Sequence, residues 1–145
     1  MQLQTLLFTL FSTTTALAAT LSTSADAEWT LESLVRVCDS ADDACTWAFG
    51  INTNEEGVNV TDCSYTVGGT ETAPASQSNG GPTECGVFTI TSGWSGQFGD
   101  GEGFTVLSVV DYDKKLIAYA GYTDKMVTNG TTVDPDLSFP VQTLS

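Results

Sequence analysis

Apolar residues in this chain recur at every second position over short runs, and turn-forming residues break the runs. Trp47, Phe49 and Ile51 alternate with Thr46, Ala48 and Gly50. Successive side chains of a β-strand point to opposite faces, so a period of two buries one set of residues and leaves the other to solvent. Trp29, Leu31 and Val35 open the sequence of strands. Val58 and Val60 lead into Cys63, Tyr65 and Val67 as a third segment, whose facing switches at a bulge near Asp62. A fourth runs from Val87 to Thr91. Phe104–Val110 and Leu116–Ala120 flank the polar tip Asp111-Tyr112-Asp113-Lys114-Lys115 and read as a hairpin. Leu137, Phe139 and Val141 make a last strand, which Pro140 directs to a sheet edge because it cannot donate to a ladder. Helical periodicity is almost absent. Together these segments predict an all-β fold, a single compact antiparallel barrel or sandwich of about seven to eight strands. The stretch from Gly68 to Pro82, rich in Gly, Ser, Thr, Ala and Pro, reads as the loosest part of the chain.

The first residues belong to a different class. No charge occurs from residue 2 to residue 25, and the apolar run Leu6 to Phe11 ends at Ala16-Leu17-Ala18-Ala19. This pattern predicts a signal peptide over residues 1–18, with an alternative cleavage after Ala27, and leaves 28–145 as a single secreted β domain. No second apolar run reaches membrane length, so no membrane insertion is expected. An oxidising, extracellular compartment turns the four cysteines into two disulfides. Cys38 and Cys45 bracket a short polar loop, a spacing that suits a hairpin staple and leaves Cys63 to pair with Cys85. A metal site on four thiolates lacks any C-x-x-C pair.

Charge decides which functions are open. The 145 residues carry 18 Asp and Glu against 4 Lys and Arg, with no histidine, for a formal net charge of -14. Such a chain repels the phosphate backbone of nucleic acid and an anionic lipid surface. Without imidazole, Ser-His-Asp and Cys-His catalysis and His-ligated zinc are impossible. Carboxylate chemistry, calcium, or binding without chemistry remain. Asp111 and Asp113 are candidate calcium ligands, because acids two apart in an extended chain face one side; otherwise no cofactor is expected. The competing reading is that acidic loops serve solubility. Glycoside hydrolysis needs two carboxyls about 5 to 10 Å apart, but no pair stands out, and no catalytic residue is assigned. Trp29 and Trp47 fall in phase with core positions rather than with a sugar-stacking surface. The glycine-rich run Gly93 to Gly103 lacks the lysine of a phosphate loop, and reads as a tight loop pinned by Trp94 and Phe98. Asn59-Val60-Thr61, within a predicted strand, and Asn129-Gly130-Thr131, at a predicted turn, are N-glycosylation acceptors.

A set of local sequences carries a family resemblance: Arg36-x-Cys38, Cys45-Thr-Trp47-x-Phe49-Gly-Ile51, Cys85-Gly86-x-Phe88-Thr-Ile90, Ser92-Gly-Trp94-Ser-Gly-Gln97-Phe98-Gly99 and Tyr122-Thr-Asp124-Lys125. From about residue 28 to the C-terminus the chain resembles fungal hypersensitive-response-inducing small secreted proteins, which elicit plant defence. It is similar, more distantly, to the Alternaria major-allergen β-barrel family. The resemblance implies a two-disulfide β-barrel or sandwich, secretion by a fungus, and recognition by a plant host without catalysis. It also implies contact with host pathogenesis-related proteins, and for relatives an acidic pocket with a cation. With every cysteine paired, a monomer is expected. The acidic field favours a basic extracellular partner, and the loop of Trp94, Gln97, Phe98, Asp100 and Glu102 is the candidate interaction surface. The runner-up function is a carbohydrate-binding or hydrolytic protein acting at cell walls.

Overall fold

The computed structural model describes residues 27–145, so the expected signal peptide and its expected cleavage after Ala18 lie outside the described residues. Eight antiparallel strands form the domain: β1 (Glu28–Cys38), β2 (Ala44–Asn52), β3 (Thr61–Gly68), β4 (Gly80–Cys85), β5 (Phe88–Ser95), β6 (Phe104–Asp111), β7 (Leu116–Thr123) and β8 (Leu137–Thr143). They lie in one sheet of order β3-β2-β1-β8-β7-β6-β5-β4, curled into a nearly closed barrel. The two edge strands, β3 and β4, meet at the seam without pairing in the ladder. The Cys63–Cys85 disulfide crosses that seam, with the two Cα atoms 5.3 Å apart. Cys38–Cys45 staples the β1–β2 hairpin, so both expected disulfides are present. No helix among the described residues is long and apolar enough to cross a membrane.

The inward set follows the period of two in most strands. Trp47, Phe49 and Ile51 of β2 are buried, as are Cys63, Tyr65 and Val67 of β3 and Leu107 and Val109 of β6. Aromatic rings meet edge to face in this core: Trp29 against Phe88 at 5.3 Å between centroids, Tyr122 against Phe139 at 5.7 Å. β1 breaks the pattern for a local reason. Its register steps from Glu32↔Gly50 to Val35↔Ala48, which inserts an extra residue, and Ser33 takes a φ of 50° at that bulge. The bulge moves Leu34 and Arg36 inward and leaves Val35 half-buried. The switch expected near Asp62 is absent, because Val58, Asn59 and Val60 lie before β3, exposed, and β3 pairs with β2 without interruption from Thr61 to Gly68. Asn59 is therefore in a loop rather than in a strand.

Two other expectations are corrected. β8 is interior in the sheet order, because its two neighbours use different halves of it. β1 pairs with Leu137–Pro140 and β7 with Val141–Thr143. Pro140 stands where one pairing gives way to the other, so its missing N–H breaks neither ladder. The Gly68–Pro82 segment is not loose. It contains a 3-10 turn at Ala75–Gln77 and the start of β4, and it is fastened to the β1–β2 loop. The Asp42 carboxylate accepts hydrogen bonds from the Ser76 N–H and hydroxyl, the Asp42 carbonyl accepts from the Ala75 N–H, and the Asp43 carbonyl from the Gly69 N–H.

The chain-entropy account ranks the disulfides by the loops they close. Removing Cys63–Cys85 by paired serine substitution, with a sequence separation of 22, is expected to lower stability by about 3 kcal/mol; removing Cys38–Cys45, separation 7, by about 2 kcal/mol. Urea midpoints of the two variants check the order. Burial pushes the Tyr65 and Tyr122 phenols well above their ordinary range, with the Asp136 carboxylate adding to the rise at Tyr122. Since the unfolded phenols ionise first, their contribution is complete below about pH 10 and is lost as pH rises further. A 295 nm titration is expected to release the phenolate signal of these two tyrosines only together with alkaline unfolding. Tyr65→Phe removes its share of that delayed signal.

Candidate functional site

Strand registers place the connections β1–β2, β3–β4, β5–β6 and β7–β8 at one end of the barrel. Arg36, turned inward by the β1 bulge, plugs that end. Its guanidinium lies over the Trp47 ring, 5.4 Å from the centroid. One terminal nitrogen donates to the Ser76 carbonyl at 3.4 Å and pairs with Asp124 Oδ1 at 3.2 Å. The other oxygen of Asp124 accepts the Trp94 indole N–H at 3.0 Å. The Trp94 backbone N–H donates to Asn79 Oδ1. The candidate loop is thus anchored by Trp94. Gly96 and Gly103 pack so closely on the indole that a Cβ on either would run into it.

Beyond this anchor the loop presents what the sequence marked, with one correction. Gln97, Asp100 and Glu102 are exposed, and Glu102 holds Lys125 in a surface ion pair at 2.8 Å. Phe98 does not pin the loop into the barrel. It is 69% exposed and tilts over Phe104 with centroids 5.7 Å apart, so it leaves an aromatic face in solvent. Asn129 lies on the neighbouring β7–β8 connection. Its Oδ1 accepts the Cys38 N–H at 2.6 Å, and its amide nitrogen, the atom a glycan would occupy, has no partner among the described residues.

The opposite end carries a cavity of about 290 Å3. Val58, Val87 and Phe88 supply apolar walls; Thr53, Asp111 and Asp113 supply polar ones. The candidate calcium ligands therefore do line one space, although they do not share a face as an extended chain would place them. β6 ends at Asp111, which is 4% exposed, while Asp113 sits exposed in the following turn. Asp111 Oδ1 accepts the Lys114 N–H at 3.0 Å. No third acid joins the pair closely among the described residues. The residues that converge with metal-ligand spacing among the described residues are Cys38, Asp42 and Cys45 at the other end of the barrel, whose sulfurs are bonded to each other and whose carboxylate is taken by Ser76.

A broader recess of about 440 Å3 lies outside β1, β2 and β3, where Glu32 and Asp62 stand opposite Gly50 in register. No tryptophan lines it, and Trp29 and Trp47 are each 3% exposed in the core. Sequence reading missed Arg36, Asp42 and Asp124 as a unit. The available signal was a lone arginine close to the core alternation of an apolar strand, but its partners come from connections far away in the chain.

The anchor makes a quantitative prediction. Asp124→Ala leaves a buried guanidinium short of its counter-charge, and is expected to cost about 2–3 kcal/mol, below the 3–5 of a fully buried pair because Asp124 is 27% exposed. Trp94 fluorescence in the native state is expected to shift to the red. Glu102→Ala, which breaks only an exposed pair, is expected to stay within about 0.5 kcal/mol. Chemical denaturation followed by fluorescence reads all of these.

Comparison with known proteins bears on what this scaffold serves. A sequence model described as Effector TSP1 matches residues 30–144. The protein named Effector TSP1 from Hypocrea virens (strain Gv29-8 / FGSC 10586) is 46% identical over 143 residues, an alignment covering 94% of this chain and 93% of that relative. The matched residues 30–144 run from within β1 to beyond β8, and the chain belongs to the Effector TSP1 family.

Proposed function

We propose that this chain is a secreted fungal effector that plant hosts recognise through its folded surface, inducing a hypersensitive response and defence without catalysis. Membership of an effector family supports the general class. The observation that carries the finer reading is the distribution of charge on the barrel. Between Glu28 and Gly68 the acids are Glu28, Glu32, Asp39, Asp42, Asp43, Glu55, Glu56 and Asp62, and the only Lys or Arg is the buried Arg36. Three of the eight strands and their connections therefore contribute only acids to the solvent-facing charge. Such a surface attracts a basic extracellular protein and disfavours acidic competitors. The pathogenesis-related class of host protein is the expected partner, met by a monomer. The burial of Trp29 and Trp47 removes two aromatic platforms from the carbohydrate-binding alternative.

Infiltration of the folded protein into leaves, with a reduced and alkylated control, tests the reading. Necrosis or an oxidative burst with the folded protein alone is expected; no response, or an equal response to the control, overturns it. Association with a basic host apoplastic protein is expected to slow by about tenfold or more between low and physiological salt. Stopped-flow or surface-based kinetics measure this, and a salt-independent rate contradicts the steering argument.

A further inference from the structure

The cavity at the end of the barrel opposite Arg36 combines features that no part of the fold requires together. Asp111 is almost wholly buried at its wall, yet among the described residues its only hydrogen bond is the one Oδ1 accepts from the Lys114 N–H; Oδ2 accepts none. The Thr53 hydroxyl, unlike the carboxylate oxygens of Asp111, is fully buried with no partner. Lys114 also lines the cavity, but its ammonium forms no salt bridge with Asp111. It pairs at 3.5 Å with Glu55, and both side chains are about half exposed. Around these polar groups stand Val58 and Val87, 46% and 59% exposed at the rim, with Phe88 buried behind them. An apolar rim leading to a mostly buried carboxylate with one oxygen open to the cavity, beside the unpartnered Thr53 hydroxyl, selects among ligands. An anion or a neutral hydrocarbon leaves Asp111 uncompensated in a desolvated place. A bare calcium ion wants about six to eight oxygens and makes no use of the apolar surface of Val58, Val87 and Phe88. A ligand with an aliphatic stem and a terminal cation satisfies both parts, since such side chains bury their methylenes along apolar surface.

We propose that this cavity binds an aliphatic cation, and that its occupant is a lysine or arginine side chain of the basic protein partner. The assignment of the occupant rests on the effector reading above. The volume, about 290 Å3, lies just below the roughly 300–1,000 Å3 range that holds whole ligands, and suits one side chain. Asn59 stands on the rim, so a glycan on that acceptor would cover the mouth.

The test is titration of unglycosylated, isotope-labelled protein with agmatine, and with Nα-acetyl-lysine methylamide and Nα-acetyl-arginine methylamide, followed by amide resonances. Saturable shifts confined to Val87, Phe88, Asp111 and their neighbours are expected from agmatine and from at least one of the two methylamides. Asp111→Asn keeps the oxygen that accepts from Lys114 and removes only the charge; it is expected to weaken binding tenfold or more. Val87→Arg, a change at an exposed position, places a guanidinium at the mouth and is expected to abolish binding with the melting temperature unchanged. Shifts that are absent, spread over the acidic loops, or undiminished in Asp111→Asn overturn the site. Calcium displacing agmatine at equal concentration overturns the organic-cation assignment, and binding of agmatine but of neither Nα-acetyl-lysine methylamide nor Nα-acetyl-arginine methylamide overturns the side-chain assignment. No plant protein enters this titration, so its failure leaves the effector reading standing, and a failed leaf response leaves the cavity standing.

Discussion

The buried guanidinium of Arg36 is the contact on which the arrangement of the loops depends. Placing a charge inside a small barrel costs several kcal/mol in desolvation, and the ion pair with Asp124 only partly offsets it. What the residue achieves is connection. Arg36 comes from β1, Trp47 beneath it from β2, Ser76 from the β3–β4 connection and Asp124 from the β7–β8 connection, while Asp124 in turn holds Trp94 at the start of the β5–β6 loop. An apolar side chain here would fill the same space and make no bond to Ser76 or Asp124. The charge makes loop positions interdependent, and so it specifies one arrangement of a surface made of glycine, serine and acid.

The seam disulfide does complementary work at the side of the barrel. β3 and β4 meet at their edges without ladder hydrogen bonds, and such edges are templates for pairing with other chains. Cys63–Cys85 holds them against each other where backbone pairing does not. The β3–β4 connection is secured a second time through Asp42 and Ser76. Backbone order along this composition-poor segment therefore comes from contacts made by other parts of the chain.

That distinction explains which features could be read from the sequence. The β2 strand and the β6–β7 hairpin were legible because alternation is local and survives intact. The disulfide pairing was legible from spacing. β4 was not, since Gly80, Gly81 and Pro82 signal a turn, and their strand geometry is imposed by pairing with β5. The bulge at Ser33 was invisible as well, and a single extra residue was enough to exchange Val35 for Leu34 in the core. Pro140 misled because a strand whose neighbours take different halves can hold a proline in the middle of a sheet. In the site, Trp94, Gln97, Phe98, Asp100 and Glu102 were found as a loop, whereas the anchor beneath them and the cavity at the far end join residues from distant connections, which no periodicity reports.

The charge imbalance acts within limits set by screening. At physiological ionic strength the Debye length is about 8 Å, so an approaching protein feels the face it meets and not the total of -14. Three of the cations are already engaged: Arg36 with Asp124, Lys114 with Glu55 and Lys125 with Glu102. The β1–β3 side then steers by sign alone, without a shape that distinguishes one basic protein from another. Discrimination has to come from close contacts of defined geometry. The barrel supplies these at its two ends, in a wired loop that holds Phe98 out to solvent and in a recess that keeps Asp111 from it.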